Sequence, residues 1–146
     1  MGFELLALVC AALFAGASIY VSVVEHPARL LCGPAVALAQ WRPSYKRAAA
    51  MQSALAAVGV LSAIVAYARG RGLAVLVGGL VLATVVPFTL LVIMPTNRQL
   101  LDPARTAETP ETSALLDRWG RLHAVRAVAS LLAVAILAAH LRGYLG

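Results

Sequence analysis

Near the end of the chain, the stretch Trp119-Gly120-Arg121-Leu122-His123-Ala124-Val125-Arg126 holds an aromatic ring, an imidazole and a guanidinium at helical spacing. With 3.6 residues per turn, Trp119, His123 and Arg126 stand at i, i+4 and i+7 on one helix face, and Ser130 continues the stripe. These are the residue types of acid–base chemistry on a bound molecule. The flanking sequence is apolar enough for hydrocarbon, where a cation is costly and normally faces a protein interior or a wet cavity. The rest of the chain is therefore expected to supply that interior.

Composition decides the class of protein. The chain has 146 residues, 62% of them hydrophobic and 12% charged, with a mean hydropathy of +0.87. A soluble domain so composed would lack the polar surface to cover itself. The expectation is an all-α integral membrane protein, a four-helix bundle of about four spans of about 20 residues forming one domain. The net charge of +6 comes almost wholly from arginine, Lys46 being the only lysine, and the arginines are scattered near the ends of apolar runs. Nucleic-acid binding needs a contiguous basic face, which is absent, so the cations read as interface anchors and a few site residues. The bias toward arginine and alanine suggests a GC-rich bacterial genome, hence a bacterial cytoplasmic membrane. Cys10 and Cys32 are separated by helix, beyond the roughly 7 Å a disulfide tolerates, and no CxxC pair is present. This argues against quinone-coupled disulfide exchange.

The run from Phe3 to Val24 reads as a retained first span, about 3–25, because no basic residue precedes it. Ser18, Ser22, Glu25 and Arg29 form a second polar stripe at i, i+4, i+7 and i+11. Pro27 marks the approaching helix end, and His26 falls roughly 100° around the axis from Glu25. The connection from Pro27 to Arg47 is too long for a tight turn, and its apolar middle, Pro34 to Trp41, is too short to span. The expectation is a short interfacial or re-entrant segment, a candidate lid, between helices 1 and 2, with Trp41 and Tyr45 at headgroup level. The second span covers about 48–68 and has Gln52 as its only amide, one heptad from Tyr45. The short Arg69 to Gly72 turn makes helices 2 and 3 antiparallel neighbours. The third span, about 73–94, contains Pro87, which should kink it with Thr84 available to bond locally, and it stops at Pro95 to Asn97. A polar stretch from Asp102 leads to a cap at Thr112 or Ser113 and a fourth span over about 118–141.

Four antiparallel spans put the end of helix 1, the start of helix 2, the end of helix 3 and the start of helix 4 on one membrane side. Those ends carry Glu25 and His26, Tyr45 and Gln52, Asn97, and Trp119, His123 and Arg126, whereas the opposite ends carry little but Arg69, Arg71, His140 and Arg142. The asymmetry argues for one polar pocket opening at one interface. Each member also has a plainer role: Trp41, Tyr45 and Trp119 as belt aromatics, Arg126 as the ion-pair partner of Glu25, His123 and Gln52 as bundle hydrogen bonders. A metal site is the sharper alternative. His26, His123 and Glu25 offer ligands suited to non-haem iron or copper in a metal-dependent membrane oxidase, although no HxxxH or ExxH element is present.

At these positions the chain resembles the anthrone-oxygenase-like family of small four-helix membrane proteins. The resembling pieces are Glu25-His26-Pro27-Ala28-Arg29, the Trp41 to Arg47 segment leading into Met51-Gln52, Pro95-Thr96-Asn97, and Trp119 to Arg126. The resemblance implies oxygenation of an activated methylene in a fused aromatic ketone, giving a quinone, with no conventional organic cofactor. Under it, His123 takes a proton from an acidic C–H or phenol, and Arg126 stabilises the developing oxyanion. Glu25 orients His123 or pairs with Arg126. Trp119 and Tyr45 flank a flat ring, Asn97 and Gln52 donate to its carbonyls, and Trp41 and Arg29 complete the substrate-binding set. A non-catalytic binding or accessory protein for a lipid, quinone or partner helix would use the same bundle. The oligomeric state is not legible in the sequence. Loops 1 and 3 hold Arg29, Arg42, Lys46, Arg47, Arg98, Arg105, Arg118 and Arg121, so the positive-inside rule places them, and the pocket mouth, in the cytoplasm.

Overall fold

Residues 2–143 are described by a computed structural model. Four long helices dominate it: α1, Gly2–Leu31; α2, Pro34–Ala68; α3, Leu73–Leu101; and α4, Pro110–Leu141. Each is apolar and long enough to cross a membrane, and no strand occurs among the described residues. The protein is therefore an integral membrane four-helix bundle, as its composition requires. Helix α1 packs on α2 and α4, and α3 packs on the same two, so the four run up and down around a square.

The link between α1 and α2 is not the long segment expected from the sequence. Cys32 and Gly33 alone make the turn, with Gly33 at φ 83°, and α2 starts directly at Pro34. A proline at the first helical position loses no bond that it could have made, so Pro34 opens a helix where the sequence pattern suggests a loop. The apolar stretch from Pro34 to Trp41 is thus the first part of α2 and not a re-entrant piece. At about 1.5 Å per residue, this helix is about 50 Å long, well beyond the roughly 30 Å of hydrocarbon. Trp41 is fully buried there, packed within the bundle and not turned to lipid as a belt aromatic. The start of α4 also differs from expectation. Thr109, and not Thr112 or Ser113, is the cap: its side chain accepts the backbone N–H of Thr112 at 3.2 Å, and Pro110 follows it.

Two widened π-turns shape the site end, Val21–Glu25 in α1 and Thr89–Ile93 in α3. Each ends two residues before a proline, Pro27 or Pro95. A proline ring inside a helix collides with the carbonyl four residues back, and a turn carrying one extra residue moves that carbonyl aside. The extra residue also rotates everything after it by about 100°. That rotation takes Glu25 off the inward stripe begun by Ser18 and brings His26 and Arg29 onto the buried face. Pro87 acts as expected: regular bonding breaks at Thr84, whose hydroxyl donates to the Val81 carbonyl at 2.6 Å.

The core lies in two parts. Toward the turn between α2 and α3, small residues let the helices close up, including Ala7, Ala11, Ala56 and Ala63 with Phe14, Leu82 and Leu137. Gly79 shows how tight this is, since a Cβ there would lie 2.4 Å from Ala63 Cβ. At the other end, Trp41, Trp119, Leu38, Leu100 and Leu116 form the second cluster. Glu4, which interrupts the apolar run assigned to the first span, is buried in α1 and pairs with Arg71 at 3.2 Å and His140 at 3.3 Å. The end opposite the site is therefore tied by its own ionic cluster, which the sequence pattern did not disclose.

Candidate functional site

Between the two cores lies a cavity of about 180 Å³, many times the roughly 10–15 Å³ that one water needs. All four helices contribute: Phe14, Val21 and Arg29 from α1; Tyr45, Gln52 and Ala56 from α2; Val85, Thr89 and Asn97 from α3; Trp119, His123 and Arg126 from α4. From Tyr45 to Ala56 the wall follows about 16 Å of helix. Its deep end is apolar, and its polar groups stand toward the end where Trp41 and Trp119 pack.

Arg126 is the central cation. Its Nη2 donates to Gln52 Oε1 and its Nη1 to Thr89 Oγ1 at 3.2 Å, while its guanidinium lies 5.2 Å from the Phe14 ring centre. All these partners are neutral, its Nε has no partner, and no carboxylate pairs with it among the described residues. The expected pairing with Glu25 is not formed, because the π-turn in α1 has rotated that carboxylate away. Glu25 instead accepts from Arg29 one turn on, from Gln40 at 2.9 Å and from Ser44 at 2.7 Å. Glu25 therefore ties α1 to α2 and stands off the cavity wall, where its partner Arg29 contributes.

His123, one helical turn before Arg126, is buried and stacks on Trp119 with ring centres 4.7 Å apart. Its Nδ1 meets Ser22 Oγ at 3.0 Å, so Ser22, and not Glu25, is its orienting partner. When Nδ1 carries the hydrogen it donates to Ser22, and Nε2 keeps its lone pair. His26 is held elsewhere, with Nε2 against the Leu116 carbonyl at 3.0 Å and its ring 5.0 Å from Trp119. The set His26, His123 and Glu25 does not gather: among the described residues no three histidine, cysteine or acidic side chains converge as metal ligands.

The aromatics form a relay. Trp41 stacks on Tyr45 at 4.9 Å and meets Trp119 edge-on at 5.6 Å, so it stands behind the two rings that line the cavity. Tyr45 Oη accepts from Asn97 Nδ2 at 3.1 Å, joining α2 to α3. Of the residues singled out in the sequence, Tyr45, Gln52, Asn97, Arg29, Trp119, His123 and Arg126 face one cavity; Glu25, His26 and Trp41 brace it. Sequence reasoning missed Thr89, Phe14 and Gly120, and it reads Ser22 only as a member of the α1 polar stripe, not as the partner of His123. The π-turn over Thr89–Ile93 hid Thr89 by breaking helical phase. Gly120 had a legible signal, a glycine inside an otherwise polar-striped helix: a Cβ there would lie 2.6 Å from the His26 ring.

Fold and cavity together define a class, small integral membrane four-helix bundles with a largely apolar internal cavity that holds a few polar groups. Within that class the chain belongs to the anthrone oxygenase family, whose model matches residues 41–136. The match includes Tyr45, Gln52, Asn97, Trp119, His123 and Arg126 but not the α1 residues, the cavity-lining Arg29 and the braces Glu25 and His26. No curated protein and no solved structure matches the chain.

Proposed function

We propose that this protein oxygenates a flat, hydrophobic aromatic ketone or phenol of the anthrone kind, with His123 as general base and Arg126 holding the anion that forms. The observation that carries the reading is the unanswered charge of Arg126. A half-buried guanidinium that lines an internal cavity with only neutral partners is costly in a membrane, and a ligand anion would supply what the protein withholds. His123 Nε2, one turn away, is the group to generate that anion from a neutral molecule. Tyr45 and Trp119 flank the ring, and Asn97 and Gln52 address its oxygens.

The chemistry balances without a further reagent. The ring methylene loses a proton to His123, and the resulting anion gives its electrons to dioxygen as a new C–O bond forms. The peroxide anion takes the first proton back from His123, and the hydroperoxide then loses its remaining C–H proton and, with cleavage of the O–O bond, hydroxide, which together are one water, leaving a quinone carbonyl. One dioxygen is consumed and one water released per quinone. No metal or organic cofactor is needed on this reading, because the substrate anion is itself the reductant. The cations gathered at the site end of the helices, among them Arg42, Lys46, Arg47, Arg98, Arg118 and Arg121, with Arg105 in the α3–α4 loop, support a cytoplasmic position for that end under the positive-inside rule.

The test is anthrone turnover by protein reconstituted in lipid nanodiscs, followed by oxygen uptake and quinone absorbance against autoxidation in empty discs. Quinone should appear one for one with dioxygen, and His123→Ala should lower the rate by about 100-fold or more while tryptophan quenching by bound anthrone persists. A wild-type rate at the empty-disc background refutes the activity. Full turnover by His123→Ala refutes the assigned base.

A further inference from the structure

The sequence pattern suggested a mouth at the membrane surface, but the cavity is largely covered there, Ser44 and Tyr45 being only partly exposed. Asn97 is 0% exposed, Arg29 and Trp119 are each 5% exposed, and the Glu25, Gln40 and Ser44 hydrogen bonds lie over Arg29. The exposed members of the wall lie on the side. Leu90 is 56% and Val86 47% exposed, and Ser53 opposite them on α2 is exposed too.

These residues border a gap between two helices. Leu73–Ala83 of α3 packs closely along α2, but beyond the break at Thr84 the segments Val85–Phe88 and Thr89–Ile93 make scarcely any contact with it; contact resumes only at Met94–Leu101. On the α2 side the gap is bordered by Ala48, Ala49 and Ser53, all small. The gap is level with the cation. Ser53 follows Gln52 and Leu90 follows Thr89, and Gln52 and Thr89 are the two side chains that bond Arg126.

We infer that the cavity is loaded sideways from the bilayer, through a portal between α2 and α3, by a lipid-dissolved molecule whose acidic oxygen leads toward Arg126. This rests on the cavity being the binding site proposed above, and adds the route and the substrate class. A water-borne polar acid meets an end covered by buried side chains. A flat hydrophobic phenol or ketone already partitioned among the acyl chains meets a slot edged by small and apolar groups, with a guanidinium behind it.

The test uses 2-anthrol, a fluorescent flat phenol, delivered from vesicles to full-length protein in nanodiscs. The saturable energy transfer from the protein's tryptophans reports binding. Ser53→Phe with Leu90→Phe narrows the portal from outside, and Val58→Phe, lipid-facing but off the cavity, is the control. A blocked portal slows passage both ways, so association and dissociation rates should each fall about tenfold or more with Kd unchanged, whereas the control keeps wild-type rates. Unchanged rates in the doubly substituted protein, with normal saturable binding, overturn the side portal and leave the function standing. A weakened Kd with an unchanged association rate also overturns it, since the residues would then act inside the site. Absence of saturable binding by the wild type overturns the binding site and the portal together.

Discussion

Gly120→Ala offers a test in which local and tertiary physics predict opposite signs. In a helix interior alanine is favoured over glycine by about 0.8–1 kcal/mol, so α4 viewed alone should be stabilised. In the bundle, the added methyl would lie 2.6 Å from His26 Cδ2 and 2.7 Å from Nε2, so the ring must recede by about 0.8 Å to reach 3.4 Å, where ordinary contact begins. The ring has little freedom to do so. Its Nε2 is bonded to the Leu116 carbonyl at 3.0 Å and its face lies against Trp119. Losing that buried bond costs about 1–3 kcal/mol, and overpacking costs about 1–3 kcal/mol. Against a gain of about 1 kcal/mol, the net expectation is a loss of about 3 kcal/mol, read as a lower midpoint in detergent unfolding. The companion measurement is Gly120→Ala in a His26→Ala background. With the imidazole gone the clash is gone, and the same substitution should be neutral or stabilising. A stabilised Gly120→Ala single variant, or equal losses in both backgrounds, would refute the claim that Gly120 exists to seat His26.

Two further outcomes follow from the site's charges. Arg126→Lys keeps a positive charge but loses the fork that reaches Gln52 and Thr89 together; anthrone turnover should fall by about 100-fold in oxygen-uptake assays, and a wild-type rate would show that charge alone suffices. Glu25→Gln removes the carboxylate from buried Arg29 and should lower unfolding stability by about 3 kcal/mol, more than an exposed charge removal costs. An unchanged midpoint would mean that water already screens that pair.

The sequence by itself determined the membrane class, the four spans and the end of the bundle at which polar groups collect. Hydrophobic run length and helical period are local quantities, and hydrocarbon thickness converts one into the other. Hence Trp119, His123 and Arg126 were legible as one face, and Tyr45, Gln52 and Asn97 as their neighbours. Tertiary structure decided the partners. The π-turn at Val21–Glu25 shifts helical phase by one residue, which moved Glu25 to Arg29 and left Ser22 for His123. Pro34, where the sequence pattern suggests a loop, opens α2, so the segment expected to lie at the interface instead covers the end of the cavity. The opening between α2 and α3 lies beyond any periodicity argument, because it depends on where two helices fail to touch. Such a gap is a property of the pair, set by the break at Thr84 and the small residues facing it, and neither helix carries it alone.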